Sequence, residues 1–276
     1  TLVFSGVLSI FSRRAKKGFY AREGLVCVGL GWTLMSIFGC LPFVISGEIP
    51  SFINALFETV SGFTTTGSSI LENVELLSRC MLYWRSFSHW LGGMGVLVLV
   101  LAVIPKSKDS GGFSIHLLRA ESPGPDVGKL MPKLKKTAIA LYSIYVSLTV
   151  INFVALLIAK MPWFDALCTA FGTAGTGGFG IKAGSLTGYS PAIQIVTTVF
   201  MLLFGINFNC YYWLMLRNVR SVLKNEELRL YLGSFVVATA LITVNTLRMF
   251  SSVGEVIRHA SFQVASIMTT TGFATT

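Results

Sequence analysis

Five stretches of the chain are apolar almost without interruption: Leu25 to Ile45, Phe87 to Ile104, Thr137 to Ala159, Ile193 to Leu216 and Leu230 to Leu247. Each comes close to the roughly 20 residues with which an α-helix, rising 1.5 Å per residue, crosses about 30 Å of hydrocarbon. The pattern predicts helical membrane spans, with Leu2 to Phe11 as the tail of an earlier helix. Between the spans lie three shorter apolar segments of about 10 to 13 residues, too short to cross and of a length suited to re-entrant helices. Each runs into a cluster of Thr and Gly.

Those three segments align without gaps: ALFETVSGFTTTGSSI from Ala55, ALCTAFGTAGTGGFGI from Ala166 and ASFQVASIMTTTGFAT from Ala260. The first position is Ala in all three, the eleventh is Thr65, Thr176 and Thr270, and the thirteenth is Gly67, Gly178 and Gly272. Asn54, Asp165 and His259 stand before them, and the first two are good helix N-caps. An internal repeat outranks any local signal in fixing architecture. The repeating unit is a span, a short helix, a Thr/Gly loop and a second span. The fold class expected is therefore an all-α membrane protein built of helix, re-entrant pore helix, filter loop and helix units around a pore. Residues 1–20 read as the end of an upstream helix and a cytoplasmic loop, 21–110 as pore unit one, 111–135 as a cytoplasmic loop, 136–225 as pore unit two and 226–276 as the first half of unit three. A closed ring needs a fourth unit. The chain thus reads as a fragment with three of four units, the third incomplete, and its first residue, Thr1 with no signal peptide behind it, points the same way.

Composition agrees: 53% of the 276 residues are hydrophobic and 12% are charged, against about 25% charged in soluble domains, and the mean hydropathy is +0.70. A net charge of +10 would suit nucleic acid, but its placement tracks topology instead. Arg13, Arg14, Lys16, Lys17 and Arg22 form one basic group, Lys106, Lys108, Arg119, Lys129, Lys133, Lys135 and Lys136 a second, and Arg217, Arg220, Lys224 and Arg229 a third. These fall on alternate loops, while the other basic residues share the opposite face with six acids. By the positive-inside rule the basic face is cytoplasmic. The loops at Pro50, Pro162 and Glu255 and the Thr/Gly clusters then face outward from the plasma membrane, and no nucleic-acid partner is expected. Cys27, Cys40, Cys80, Cys168 and Cys210 are scattered, without metal or redox spacing.

Non-helical backbone at membrane depth is tolerated only inside protein or beside a water-filled cavity. Rings of backbone carbonyls can replace the hydration shell of a monovalent cation, with Thr hydroxyls adding ligands and Gly supplying unusual dihedrals. The C-terminal end of each short helix adds roughly half a negative charge. A lone T-T-T-G would be weak; three in register with matching topology make a filter. Glu58, the intramembrane acid near it, either shapes the pore field or braces the filter, or makes a structural bond behind it.

Several motifs give the sequence a family likeness. Trp84-Arg85-Ser86-Phe87 with Trp90-Leu91-Gly92-Gly93-Met94-Gly95 is similar to the start of the first outgoing helix of the TrkH/KtrB potassium-uptake family, relatives of the plant HKT transporters. Leu118-Arg119-Ala120-Glu121-Ser122-Pro123-Gly124-Pro125 resembles its first long cytoplasmic loop, and Gly205-Ile206-Asn207-Phe208-Asn209 its second outgoing helix. The likeness runs from about Arg22 to the end, on the TrkH side of the family. It implies four pseudo-equivalent units around one pore, a homodimer in the lipid bilayer, and a cytosolic nucleotide-binding regulatory subunit like TrkA. Potassium is then the substrate, and no covalent cofactor is expected. Carried over by position, the ion-binding filter is Thr65, Thr66, Gly67 and Ser68, then Thr176, Gly177, Gly178 and Phe179, then Thr270, Thr271, Gly272 and Phe273. In the family, Gly at the first unit's filter position goes with potassium and Ser in some plant relatives with sodium, so Gly67 favours potassium. Gly177 departs from the pattern by losing a hydroxyl. The family's gate lies in the third unit's outgoing helix and in an Arg of the fourth, outside this sequence.

Other readings are weaker. Gly92, Gly93 and Gly95 suit close helix packing more than a hinge. Asn207 and Asn209 either line an inner vestibule or bond between helices. His89 reads as structural, and Lys133, Lys135 and Lys136 as topology signals. A sodium or mixed-cation transporter of the same fold is the main alternative. A membrane enzyme using His89 or His116, or a non-transporting membrane protein, is remote, because the chain offers no nucleophile motif or metal spacing.

Overall fold

The computed structural model describes residues 21–95, 134–250 and 252–275, with side chains from 26 and 139 onward in the first two stretches. The described residues fall into two compact units, one holding 21–56 and 134–138, the other 57–95 and 139–275. Among them all regular structure is helical. The sequence motif Leu118 to Pro125, the second basic group up to Lys133, and His116 lie outside the described residues.

In the first unit α1 (Ala21–Ser46) is apolar after its first turn and ends at Gly47, whose φ of 74° lets its N–H reach back to the Val44 carbonyl. Its 26 residues make about 39 Å of helix. The short helices follow a different logic. α2 (Phe52–Phe63) and α5 (Trp163–Ala174) have 12 residues each and α10 (Val253–Met268) has 16, lengths of about 18 to 24 Å that stop inside a bilayer. They begin earlier than Asn54, Asp165 and His259 suggest. Phe52 and Ile53, Trp163 and Phe164 join the first turns, Pro162 and Ser252 occupy the cap positions, and Ser252 accepts from Glu255 N at 3.2 Å. Asp165 sits inside the first turn of α5, where the helix dipole favours an acid.

The longer helices are α3 (Arg79–Gly93), α4 (Leu134–Ile158), α6 (Pro191–Gly205), α7 (Phe208–Met215) and α9 (Glu226–Thr246), with the short α8 (Val219–Leu223) before the last. Val28–Ser46, Ile139–Ile158 and Glu226–Thr246 are long and apolar enough to cross a membrane. α3 starts at Arg79, eight residues before the apolar run, because Ser78 caps it at Met81 N and its charged and polar residues Arg85, Ser86, Ser88 and His89 face inward.

The run from Ile193 to Leu216 is not one continuous helix. It breaks at Ile206 and Asn207, where α6 and α7 meet at 86°. A polar residue following Gly205 starts a new helix, since Asn207 Oδ1 accepts from Asn209 N at 3.0 Å. The carbonyls freed by the break are taken by Tyr211 on Leu203 (2.6 Å) and by Tyr231 on Leu202 (3.1 Å), as interrupted membrane helices require.

Two apolar cores in the second unit hold α5 and α10 in place. Met201 and Ile193 of α6 pack with Ala166, Ala170, Phe262, Ala265 and Phe273, joining α5 to α10. Tyr145 of α4 packs with Ala174, Phe200 and Phe204, backed by Trp90 and Met94. Small residues permit this proximity. A β-carbon on Gly92 would lie 2.2 Å from the Phe63 carbonyl, and one on Gly93 2.6 Å from Gly175 Cα. α3 is thus wedged between the ends of α2 and α5, and Gly205 of α6 meets Thr269 at the end of α10 in the same way, at 2.7 Å. These are packing glycines; Gly95, with φ 67°, ends the turn after α3.

Candidate ion filter

Each short helix ends the same way. Thr65, Thr176 and Thr270 have φ of 55°, 51° and 58°, left-handed values that a β-branched residue rarely takes. Two backbone bonds recur in every copy. The eleventh-position N–H donates to the eighth carbonyl (Thr65 to Gly62, Thr176 to Thr173, Thr270 to Ile267), and the twelfth to the seventh (Thr66 to Ser61, Gly177 to Gly172, Thr271 to Ser266). This is the helix-stopping pattern in which one left-handed residue satisfies the last carbonyls. It usually employs Gly, so Thr at all three positions stores strain of about 1 to 3 kcal/mol apiece, which persists only where the surroundings over-determine it. Two residues on, Gly67, Gly178 and Gly272 again have positive φ, of 79°, 71° and 80°.

The three loops stand side by side in chain order. A β-carbon on Gly67 would lie 2.1 Å from the Gly177 carbonyl oxygen, and one on Gly178 1.9 Å from that of Thr271. Thirteenth-position glycine therefore abuts twelfth-position carbonyl of the next loop, twice over. At Gly272 a β-carbon meets nothing within 4 Å among the described residues, and Gly272 and Thr66 are exposed at the two ends of this arc.

Side chains at positions ten and twelve tie the first and third loops to their helices. Thr64 and Thr66 pair their hydroxyls at 2.7 Å, with Thr64 donating to Val60 O; Thr269 and Thr271 pair at 2.7 Å, with Thr269 donating to Ala265 O. The second loop has Gly175 and Gly177 there. Of the fourteenth residues, Ser68 is exposed, while the rings of Phe179 and Phe273 are buried behind the loops and can offer an ion only backbone. The Phe273 carbonyl accepts from Ser266 Oγ at 2.7 Å.

Glu58 lies on the far side of the first loop, fully buried. Its carboxylate accepts from Ser69 Oγ at 3.0 and 3.1 Å, from Ile70 N at 3.0 Å and from Arg85 Nε. Arg85 in turn donates through Nη1 to Gly180 O at 2.9 Å and places its guanidinium carbon 3.6 Å from the centre of the Phe179 ring. One buried ion pair thereby joins the segments following both the first and the second glycine. The third is held by neutral groups: His259 Nδ1 contacts Thr275 Oγ1 at 2.9 Å, and Ala274 N donates to Ser185 Oγ. Asn207 stands apart from the loops, at the α6–α7 break, where its amide donates to Glu227 at 3.0 Å. Sequence reasoning overlooked Arg85 as a site residue; its signal was a charge set among the aromatic residues Tyr83, Trp84, Phe87 and Trp90.

The family model for TrkH, described as a cation transport protein, matches residues 1–276. A Trk system potassium uptake protein TrkH from Halomonas elongata is 36% identical over 271 residues, covering 95% of this chain and 55% of its own length. The protein of the same name from Escherichia coli K12 is 37% identical over 275 residues, with 96% and 55% coverage. Among solved structures, the crystal structure of the potassium transporter TrkH from Vibrio parahaemolyticus superposes with a TM-score of 0.82 at 32% identity, covering all of this chain and 57% of that one. The chain thus spans a little over half the length of these relatives, and along that whole span it belongs to the TrkH family of cation transport proteins.

Proposed function

We propose that this chain supplies three of the four walls of a potassium-selective pore that takes the ion into the cell across the plasma membrane. The observation that carries this reading is the twice-repeated seating of a filter glycine against the next loop's carbonyl, Gly67 on Gly177 and Gly178 on Thr271. Such contacts set the loops edge to edge, an arrangement that suits a ring of carbonyls, and carbonyl dipoles in a ring select by replacing the ion's water. The C-terminal ends of α2, α5 and α10 each lead directly into a loop and add partial negative charge where a cation would lose its hydration. No carboxylate is required as a ligand, and Glu58 is neutralised by Arg85.

A fourth loop in the full-length protein would close the arc against Gly272. The filter then faces outward and the basic loops inward. A homodimer and a cytosolic nucleotide-binding regulatory subunit complete the assembly, as the family likeness implies. As a member of a transport family the protein is not an enzyme.

The test is growth of a bacterial strain lacking potassium uptake when it carries the full-length gene. Growth at low potassium, accompanied by rubidium uptake that sodium does not compete away, is expected. Absence of rescue by a protein that reaches the membrane would overturn the reading, and rescue with equal sodium uptake would reassign it to a mixed-cation transporter.

A further inference from the structure

We infer that His89 is a positioning residue of the filter: its ring stands in for the threonine pair that the second loop lacks and fixes the Gly177 carbonyl. The inference rests on the potassium-uptake reading and deepens it. In the first and third loops the twelfth residue is tied through its hydroxyl to the tenth, and so to the last turn of its pore helix. Gly175 and Gly177 make no such tie, and glycine has the greatest backbone freedom of any residue. Yet the Gly177 carbonyl is the one against which Gly67 is seated.

What replaces the threonines comes from α3. A β-carbon on Gly177 would lie 2.4 Å from both Nδ1 and Cε1 of His89, and one on Gly175 2.3 Å from the His89 carbonyl oxygen. His89 is completely buried. Its ring stacks on Phe179, 3.9 Å between centroids and 18° from parallel, and Nδ1 accepts from Phe179 N at 3.4 Å. With Nδ1 accepting, the proton of the neutral ring sits on Nε2. Arg85 covers the opposite side of the same residue. Positions twelve and fourteen of the second loop are therefore set by the His89 ring, and position ten abuts the His89 carbonyl. The two glycines are the space that this residue needs, Gly175 for its main chain and Gly177 for its ring, rather than a lost pair of ligands.

A histidine that merely fills volume makes different demands from one that positions a carbonyl. Filling is satisfied by His89→Phe, which keeps a ring but removes the acceptor for Phe179 N. Positioning is satisfied better by His89→Gln, whose amide oxygen can accept that bond. The experiment measures rubidium and sodium uptake by the full-length protein carrying His89→Gln, His89→Phe, Gly177→Ser, and His89→Ala with Gly177→Ser. Loss of the acceptor leaves a buried N–H unpaired, so His89→Phe should lower the rubidium-to-sodium ratio about tenfold, while His89→Gln stays within about threefold of wild type. Gly177→Ser should be severely defective beside His89 and regain about tenfold in the His89→Ala background, where the ring no longer occupies the site of its β-carbon. Equal selectivity in His89→Phe and wild type, or a Gly177→Ser defect of the same size in both backgrounds, would overturn the inference. Should His89→Ala abolish the folded protein, the Gln and Phe variants decide alone. Absence of rubidium uptake by the wild-type protein would instead overturn the potassium-uptake reading itself.

Discussion

In the first filter loop Thr64 and Thr66 pair their hydroxyls and Glu58 gathers in the segment beyond Gly67; in the second, Gly175 and Gly177 have no side chains and His89 lies against them. The backbones nevertheless match in both helix-ending bonds and both left-handed residues. What is repeated in this molecule is the path of the main chain, and what varies is the means of holding it. That division follows if the ion meets carbonyls: carbonyl positions must agree between units, whereas the scaffolding behind them need only be rigid and hydrogen-bonded.

Several substitutions break or sharpen the comparison. The largest effect on uptake should come from Gly178→Ala, because the new methyl would fall 1.9 Å from the Thr271 carbonyl at a φ of 71°. Backbone cannot yield as a flexible side chain would, and rubidium uptake should fall about a hundredfold, equivalent to some 3 kcal/mol. Next is Arg85→Ala, which strands the buried Glu58 carboxylate and frees both the first and second segments. A cost of about 3 to 5 kcal/mol is expected from breaking one partner of a buried pair, read as a lower melting temperature of the purified protein. Equal melting of variant and wild type would remove the shared brace from the account. Gly93→Leu should cost about 1 to 3 kcal/mol by overpacking α3 against Gly175, again as a melting shift, and it should disturb the second loop more than the third. Smallest is Thr269→Val, which loses one hydroxyl pair and the bond to Ala265 O for about 1 kcal/mol. It should lower melting slightly and, because it also unties Thr271, lower the rubidium-to-sodium ratio by no more than about threefold.

The spacing of Thr and Gly revealed the three loops, since the eleventh and thirteenth positions carry the left-handed residues. Hydropathy revealed the helices that are long and apolar enough to cross a membrane, such as α9, with Leu230, Val236, Leu241 and Val244 exposed. It put the start of α3 eight residues late, because the inward face of that helix is polar, and it ran through the break at Asn207, because hydropathy averages over isolated polar residues. The order of the loops and the contact between each glycine and the neighbouring carbonyl join residues more than 90 positions apart, and no local pattern encodes them. Arg85 and His89 were legible as residues and illegible as supports, since their partners Gly180 and Phe179 lie 95 and 90 residues away.

The central claim is that a glycine seated on its neighbour's carbonyl sets the ion-coordinating ring. Gly67→Ser tests it most directly, because a β-carbon there would lie 2.1 Å from Gly177 O and must displace that carbonyl. Rubidium against sodium uptake in the full-length protein should show discrimination reduced by about tenfold or more, with the protein still folded and in the membrane. Unchanged discrimination would contradict the account.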